Sequence, residues 1–185
     1  MRSPFNLWTY WISAATRAKI AVIVSQHLPS LQEQGSFSLG LTHGIGRLVI
    51  GQLLPDVQEM ILMHARKQGD NYHHAALSFD LNDASIGSLL LKNWRFPAAV
   101  VNAVEQQYSP IEQMTPLTAL GQIVHAIVDA GSMMRLPGDF DESDVGRLRK
   151  LLEHVHATSF EASKWQQERS QAYQQACSLI EGIRN

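Results

Sequence analysis

Between residues 7 and 28, apolar side chains recur at steps of three and four, at Trp8, Trp11, Ala15, Ala18 and Val22. That is the period of one face of an α-helix. The same period returns along most of the chain, and no segment alternates strictly between apolar and polar as a half-buried strand does. Proline and glycine cut the pattern into pieces. Pro29 and Gly35 close the first helix, and residues 37–54 read as a second one ended by Pro55. Asp56 is placed to cap a helix through residue 68 that stops at Gly69, with Val57, Met60, Ile61 and His64 on one face. Residues 82–94 form another, with Ala84, Gly87, Leu90, Leu91 and Trp94 spaced for packing. Pro97 suits the first turn of a helix over 98–107, and Thr115-Pro116 opens one that runs to about residue 134. The expected fold class is all-α, a helical bundle.

A composition shift at Leu136-Pro137-Gly138-Asp139 separates residues 5–135 from a C-terminal helical extension, residues 140–185. In the extension Val145, Leu148, Leu151, Leu152 and Val155 make a narrow apolar stripe. Thr158 and Glu161 form a capping-box pattern that starts a glutamine-rich amphipathic helix, on which Trp165, Tyr173 and Cys177 share roughly one face. The stripe points to packing onto the chain's own domain more than to pairing with another chain.

Composition narrows the function classes. With 45% hydrophobic and 17% charged residues, 185 residues can build a sizeable packed core. A net charge of -2 and a pI of about 6.4 argue against DNA held by bulk phosphate attraction. The basic cluster Arg147, Arg149, Lys150 reads as a solvated helix face. The single cysteine, Cys177, excludes an internal disulfide framework and a cysteine zinc cage, and a reducing, cytoplasmic setting is expected. The apolar run at 20–24 is far short of the roughly 20 residues that span a bilayer, so no membrane role is expected.

Eight histidines raise the question of metal, which needs three or four groups converging at about 2 Å from the ion. His73 and His74 are neighbours and on a helix point about 100° apart. His154 and His156 diverge likewise, and His27, His64 and His125 stand alone on largely apolar faces. His43 sits in a different context, Gly40-Leu41-Thr42-His43-Gly44-Ile45-Gly46-Arg47-Leu48. This segment resembles the signature around the histidine-aspartate pair of the HD superfamily. More narrowly, the chain resembles the HDOD domain, the HD-related output domain of bacteria. Trp11-Ile12-Ser13 with Ala15 and Ala18 resembles the family's tryptophan- and serine-bearing helix. Asn82-Asp83-Ala84-Ser85-Ile86-Gly87, then Leu89-Leu90-Leu91, Trp94 and Phe96-Pro97, resembles its Asp-His-Ala-x-x-Gly run. Residues 104–110 resemble its Ile-x-x-His-His-x-Pro segment, and residues 120–131 the helix that carries the last aspartate of HD enzymes. The likeness spans about residues 5 to 135.

HD phosphohydrolases hold divalent metals that polarise phosphate and activate water. Measured against that pattern, Gly44 stands where the aspartate is expected, Ile12 at the first-helix histidine, and Asp83 at the histidine of Asp-His-Ala. Gln107 and Tyr108 replace the His-His pair, and the last aspartate falls near Val128, with Asp129 beside it. Only His43 remains clearly, and one imidazole cannot hold a catalytic metal. The resemblance therefore implies a non-catalytic regulatory or signal-transduction module without catalytic or metal residues and without a cofactor. It would bind a protein partner, a second copy of itself, or a nucleotide second messenger. The candidate vestigial pocket is His43, Arg47, Asp83 and Tyr108, with Arg47 placed to meet an anion. The alternative is a divergent metal-dependent HD phosphohydrolase acting on nucleotides or cyclic dinucleotides. Gly44 and Gly46 suit a tight turn or a close helix crossing. The family carries further helices ahead of the tryptophan helix. Without them the faces of Trp8, Trp11 and Val22 need cover, from self-association or from the extension.

Overall fold

Asn6 starts the first helix by accepting hydrogen bonds from the backbone N–H groups of Trp8 and Thr9, which have no partner inside the helix. The computed structural model describes residues 6–28, 31, 35–129, 149–157 and 162–184, the side chains of 129, 162–166 and 184 excepted. The helices are α1 (Leu7–Ser25), α2 (Ser36–Thr42), α3 (Ile45–Leu53), α4 (Pro55–Gln68), α5 (Tyr72–Leu77), α6 (Asp83–Asn93), α7 (Ala98–Glu105) and α8 (Pro116–Asp129). A 3-10 turn, Ile111–Gln113, precedes α8. Residues 149–154 are helical (α9), and α10 (Ala162–Arg184) ends the chain. The described residues contain no strand, so the fold is all-α as the periodicity requires.

The main core gathers Ile20 and Val24 of α1, Leu39 of α2, Leu91 of α6, Val100 and Val104 of α7, and Leu120 and Ile123 of α8. Burying each such side chain is worth about 1.5–3 kcal/mol relative to leaving it in water. A second cluster, Ile50, Ile61, Ala65, Tyr72, Ala75 and Ala76, forms where α4 and α5 fold against the end of α3.

The expected helix over 37–54 is interrupted at His43–Gly44, giving α2 and α3. Each half is committed to a different neighbour. α2 lies so close to α1 that a Cβ on Gly40 would stand 2.5 Å from the Arg17 carbonyl oxygen, whereas α3 packs on α6. One straight rod does not serve both crossings. Smaller corrections follow the same tertiary logic. Pro55 takes the first position of α4, so Asp56 lies within its first turn, where it still complements the helix dipole. Pro97 precedes α7 as its cap. Of the α4 face read from sequence, Ile61 is fully buried while Met60 is 52% exposed. Trp94, spaced for packing, is 56% exposed. Helix α5, absent from the sequence reading, is capped by Asn71, whose Oδ1 accepts from the His74 N–H at 3.0 Å.

The extension packs on its own domain. Leu151 and Val155 are buried in the main core, Leu152 packs against it, and the His154 ring meets the Met114 carbonyl oxygen at 3.0 Å. Helix α10 lays Ala172 and Ala176 against the body, chiefly on α1, where Lys19 Nζ donates to Gln175 Oε1 at 2.6 Å. Val22 is half-buried beside α10, Trp11 is half-buried against the cluster of Tyr10, Ala14, Leu41 and Leu48, and Trp8 remains 43% exposed. Val145, Arg147, Leu148, the Thr158–Glu161 box and the Trp165 side chain lie outside the described residues. No helix among the described residues is long and apolar enough to cross a membrane.

Candidate functional site

The site begins with a backbone crossing. A Cβ built on Gly46, near the start of α3, would lie 1.8 Å from the carbonyl oxygen of Asp83. On the other side of the crossing, a Cβ on Gly87 would lie 3.1 Å from the Gly46 nitrogen. Only glycine lets the two helices approach this closely. Asp83 is the first residue of α6, held there by Asn82, whose Oδ1 accepts from the Ser85 N–H at 3.1 Å. The crossing therefore sets the Asp83 carboxylate beside Arg47, the residue after Gly46.

Around that carboxylate, which is 3% exposed, every neighbour is matched to a negative charge. His73 Nδ1 lies 2.6 Å from Oδ1, the Tyr108 hydroxyl donates to Oδ2 at 2.9 Å, and Arg47 Nε stands 3.6 Å from Oδ2. Burial alone would raise the Asp83 pKa. The hydrogen bond from His73, the charges of Arg47 and His73, and the Tyr108 hydroxyl outweigh burial and hold it below the ordinary 3.8. An ionised carboxylate only accepts, so Nδ1 of His73 carries its hydrogen. The His73 ring stacks on Tyr108 at 3.6 Å between centroids, and the Arg47 guanidinium lies over Tyr72 at 4.7 Å. The Tyr72 hydroxyl donates to the buried Gln58 at 2.5 Å.

His43 closes the other half. It ends α2, is buried, and presses its ring onto α8 at Gly121, where a Cβ would stand 2.7 Å from His43 Cδ2. The His125 ring lies 5.6 Å away, centroid to centroid. Between the two halves is a cavity of about 20 Å³, walled in part by Tyr10, Arg17, His43, Arg47, Tyr108 and His125. That is room for one water molecule.

Three of the four residues singled out from sequence, His43, Arg47 and Tyr108, thus face one small cavity, and Asp83 is bonded to two of them. His73, Arg17 and His125 were missed. His73 and His74 do diverge as adjacent helical residues must: His74 turns outward to Asp70 at 3.1 Å, while His73 turns inward to Asp83. The usable signal was Asn71, a cap residue that would have placed His73 on a short helix.

Among the described residues the donor set does not fit a divalent cation. Among the described residues no three His, Cys, Asp or Glu side chains converge. Two guanidiniums line the cavity beside His43, and both Asp83 oxygens are already engaged. Gly44 has an ordinary backbone (φ -98°), and the nearest atom to a Cβ there would be Arg17 Nη2 at 3.4 Å. The Asp129 side chain lies outside the described residues.

The buried phenols give the site a pH signature. Burial, opposed by the Arg17 and Arg47 charges, pushes Tyr10 up to about 12. Burial, opposed mainly by Arg47, pushes Tyr72 and Tyr108 higher still. A raised folded pKa favours the neutral phenol, so this stability is complete below the ordinary value of 10 and is lost as pH rises from there through the folded values. We expect unfolding above about pH 10 to release these three phenols together, seen as a cooperative rise in phenolate absorbance coincident with loss of helical circular dichroism. Independent titration near pH 10 with the helices intact would contradict the burial described.

The HDOD domain family model matches residues 1–110. The chain belongs to the HDOD family. The match contains α1 to α7 and with them His43, Arg47, His73, Asp83 and Tyr108. Helices α8 to α10 lie beyond it. Solved structures agree on the fold. A phosphohydrolase candidate from Shewanella amazonensis SB2B is 21% identical with a TM-score of 0.65, over 96% of this chain and 64% of that one. A signal-transduction candidate from Marinobacter aquaeolei VT8 is 16% identical with a TM-score of 0.70, over 94% and 38%. An HDOD protein of unknown function from Geobacter sulfurreducens is 16% identical with a TM-score of 0.65, over 96% and 63%. The chain thus spans less than two thirds of each of these HDOD-like neighbours. A comparison with curated protein sequences gives no match.

Proposed function

We propose that this HDOD protein is a regulatory module that works by binding a macromolecular partner, another protein or a second copy, without catalysis. The observation that carries the reading is the closed centre. The carboxylate is already partnered from within by Arg47, His73 and Tyr108, and about 20 Å³ of space remains. A nucleotide needs a pocket of roughly 300 Å³ or more, so this centre favours a partner met at the surface over a nucleotide held inside. Surface chemistry supports the same reading. Met60 and Met63 share one face of α4 and are 52% and 62% exposed, and methionine is enriched at protein interfaces. The Marinobacter neighbour's description as a signal-transduction candidate agrees with this role. The Shewanella neighbour's description favours the rival, a metal-dependent phosphohydrolase.

Gly44→Asp tests the choice by restoring the histidine-aspartate sequence. Its backbone accepts a side chain, and the new carboxylate meets the Arg17 guanidinium. We expect the variant to fold, and both it and the wild type to release no phosphate from nucleotides or cyclic dinucleotides with Mn²⁺ or Mg²⁺. Metal-dependent turnover by the wild type, lost in His43→Ala, would establish the rival. Sedimentation at rising concentration then separates a second copy from a different protein as the partner.

A further inference from the structure

Helix α10 touches the body through small residues, Ala172 and Ala176, so the flanks of its crossing with α1 stay open. One flank is a groove of about 260 Å³ with, among the described residues, one cation and one carboxylate in its wall, Lys19 and Glu168. The other is a crevice of about 370 Å³ between α1, α8 and α10, with Ser13, Thr16, Val128, Arg169, Tyr173 and Gln174 in its wall. Among the described residues no carboxylate belongs to this wall, and Arg169 takes part in none of the ion pairs. Ser13 and Thr16 of α1 form one side, both buried, with the Thr16 hydroxyl donating to the Ile12 carbonyl oxygen at 2.7 Å; Tyr173 and Gln174 bring a phenol and an amide to the other. The size falls in the range of small-molecule sites, and the gaps between bundle helices are a common place for them.

We propose that this crevice binds a small molecule with an oxyanion head, a phosphate ester or a carboxylate, taken by Arg169. A guanidinium fork matches the planar or trigonal oxygens of such heads, and the Gln174 amide in the same wall supplies a further N–H donor. The crevice is separate from the His43 cavity: among the described residues the two share no lining residue. Its walls belong to different helices, so an occupant joins α10 to α1 and α8. Binding therefore holds the C-terminal helix on the domain, and release loosens it. This gives the HDOD fold a chemical input that an active or an inactive His43 centre would leave unchanged.

The test is thermal unfolding of the full chain with glycerol 3-phosphate, inorganic phosphate or citrate, each against sodium chloride at equal ionic strength. The wild type, Arg169→Ala and Arg169→Lys are run in parallel. Arg169 is partly exposed and makes no ion pair among the described residues, so both variants are expected to fold. We expect at least one probe to raise the wild-type Tm saturably by about 5 °C or more at saturation. Arg169→Ala should abolish the rise and Arg169→Lys should cut it at least in half. The effective probe tells phosphate ester from free phosphate and from carboxylate. Hydrogen exchange of the amides at 167–176 should slow with that probe. No rise beyond sodium chloride with any probe overturns the proposal. So does an equal rise in Arg169→Ala, which would place the anion elsewhere.

Discussion

Alanine at Gly46 is expected to destabilise the protein by about 3 kcal/mol, the upper part of the range for overpacking a close contact. The added carbon would fall 1.8 Å from the Asp83 carbonyl oxygen, a backbone atom at the start of α6 that no rotamer change can move. Relief requires α3 and α6 to separate by more than an ångström. That separation also draws Arg47 from Asp83, because each is bound by the chain to the crossing. Urea unfolding should show a lower midpoint with an unchanged slope. Gly69→Ala makes a useful contrast. Its Cβ meets nothing within 4 Å, but φ is +69°, so it costs only the left-handed conformation, about 1 kcal/mol. A Gly46→Ala loss no larger than that of Gly69→Ala would mean that the two helices do not touch as described.

Asp83→Ala should cost about 3–5 kcal/mol, because it strips the counter-charge from a largely buried guanidinium and removes the acceptor for both His73 and Tyr108. Asp83→Asn keeps the shape and one carbonyl acceptor and should lose less, about 1–2 kcal/mol. The pH dependence identifies the charge. The folded pKa of Asp83 lies below its ordinary 3.8, so its contribution is present above about pH 4 and is lost as pH falls through the depressed value. The stability gap between the wild type and Asp83→Asn should therefore narrow below pH 4. A gap that stays constant to pH 2 would show that Asp83 contributes shape and not charge.

The helices were legible because burial on one face writes its period into the sequence, and the strongest punctuation, Gly69 and Asn82, ends or begins elements where it stands. The break at His43–Gly44 was not, since the run from 37 to 54 is apolar throughout and only the separate demands of α1 and α6 divide it. Arg47, Asp83 and Tyr108 could be chosen from their place in the family pattern. His73 could not, because that pattern offers no reason to watch it. Its role arises from the ten-residue path through α5 and the turn after it, which brings an imidazole back to the carboxylate at α6. Arg17 was hidden for a related reason: it lies in the middle of an apolar-looking α1, and only the folded chain brings its guanidinium beside Gly44 at the cavity wall.

The most direct test of the central claim is the metal content of the full chain, purified without chelators and then titrated with Mn²⁺ and Fe²⁺. The account predicts no stoichiometric ion and no heat of binding, with Asp83→Asn indistinguishable from the wild type. One tightly held ion per chain, lost together in His43→Ala and Asp83→Asn, would contradict it.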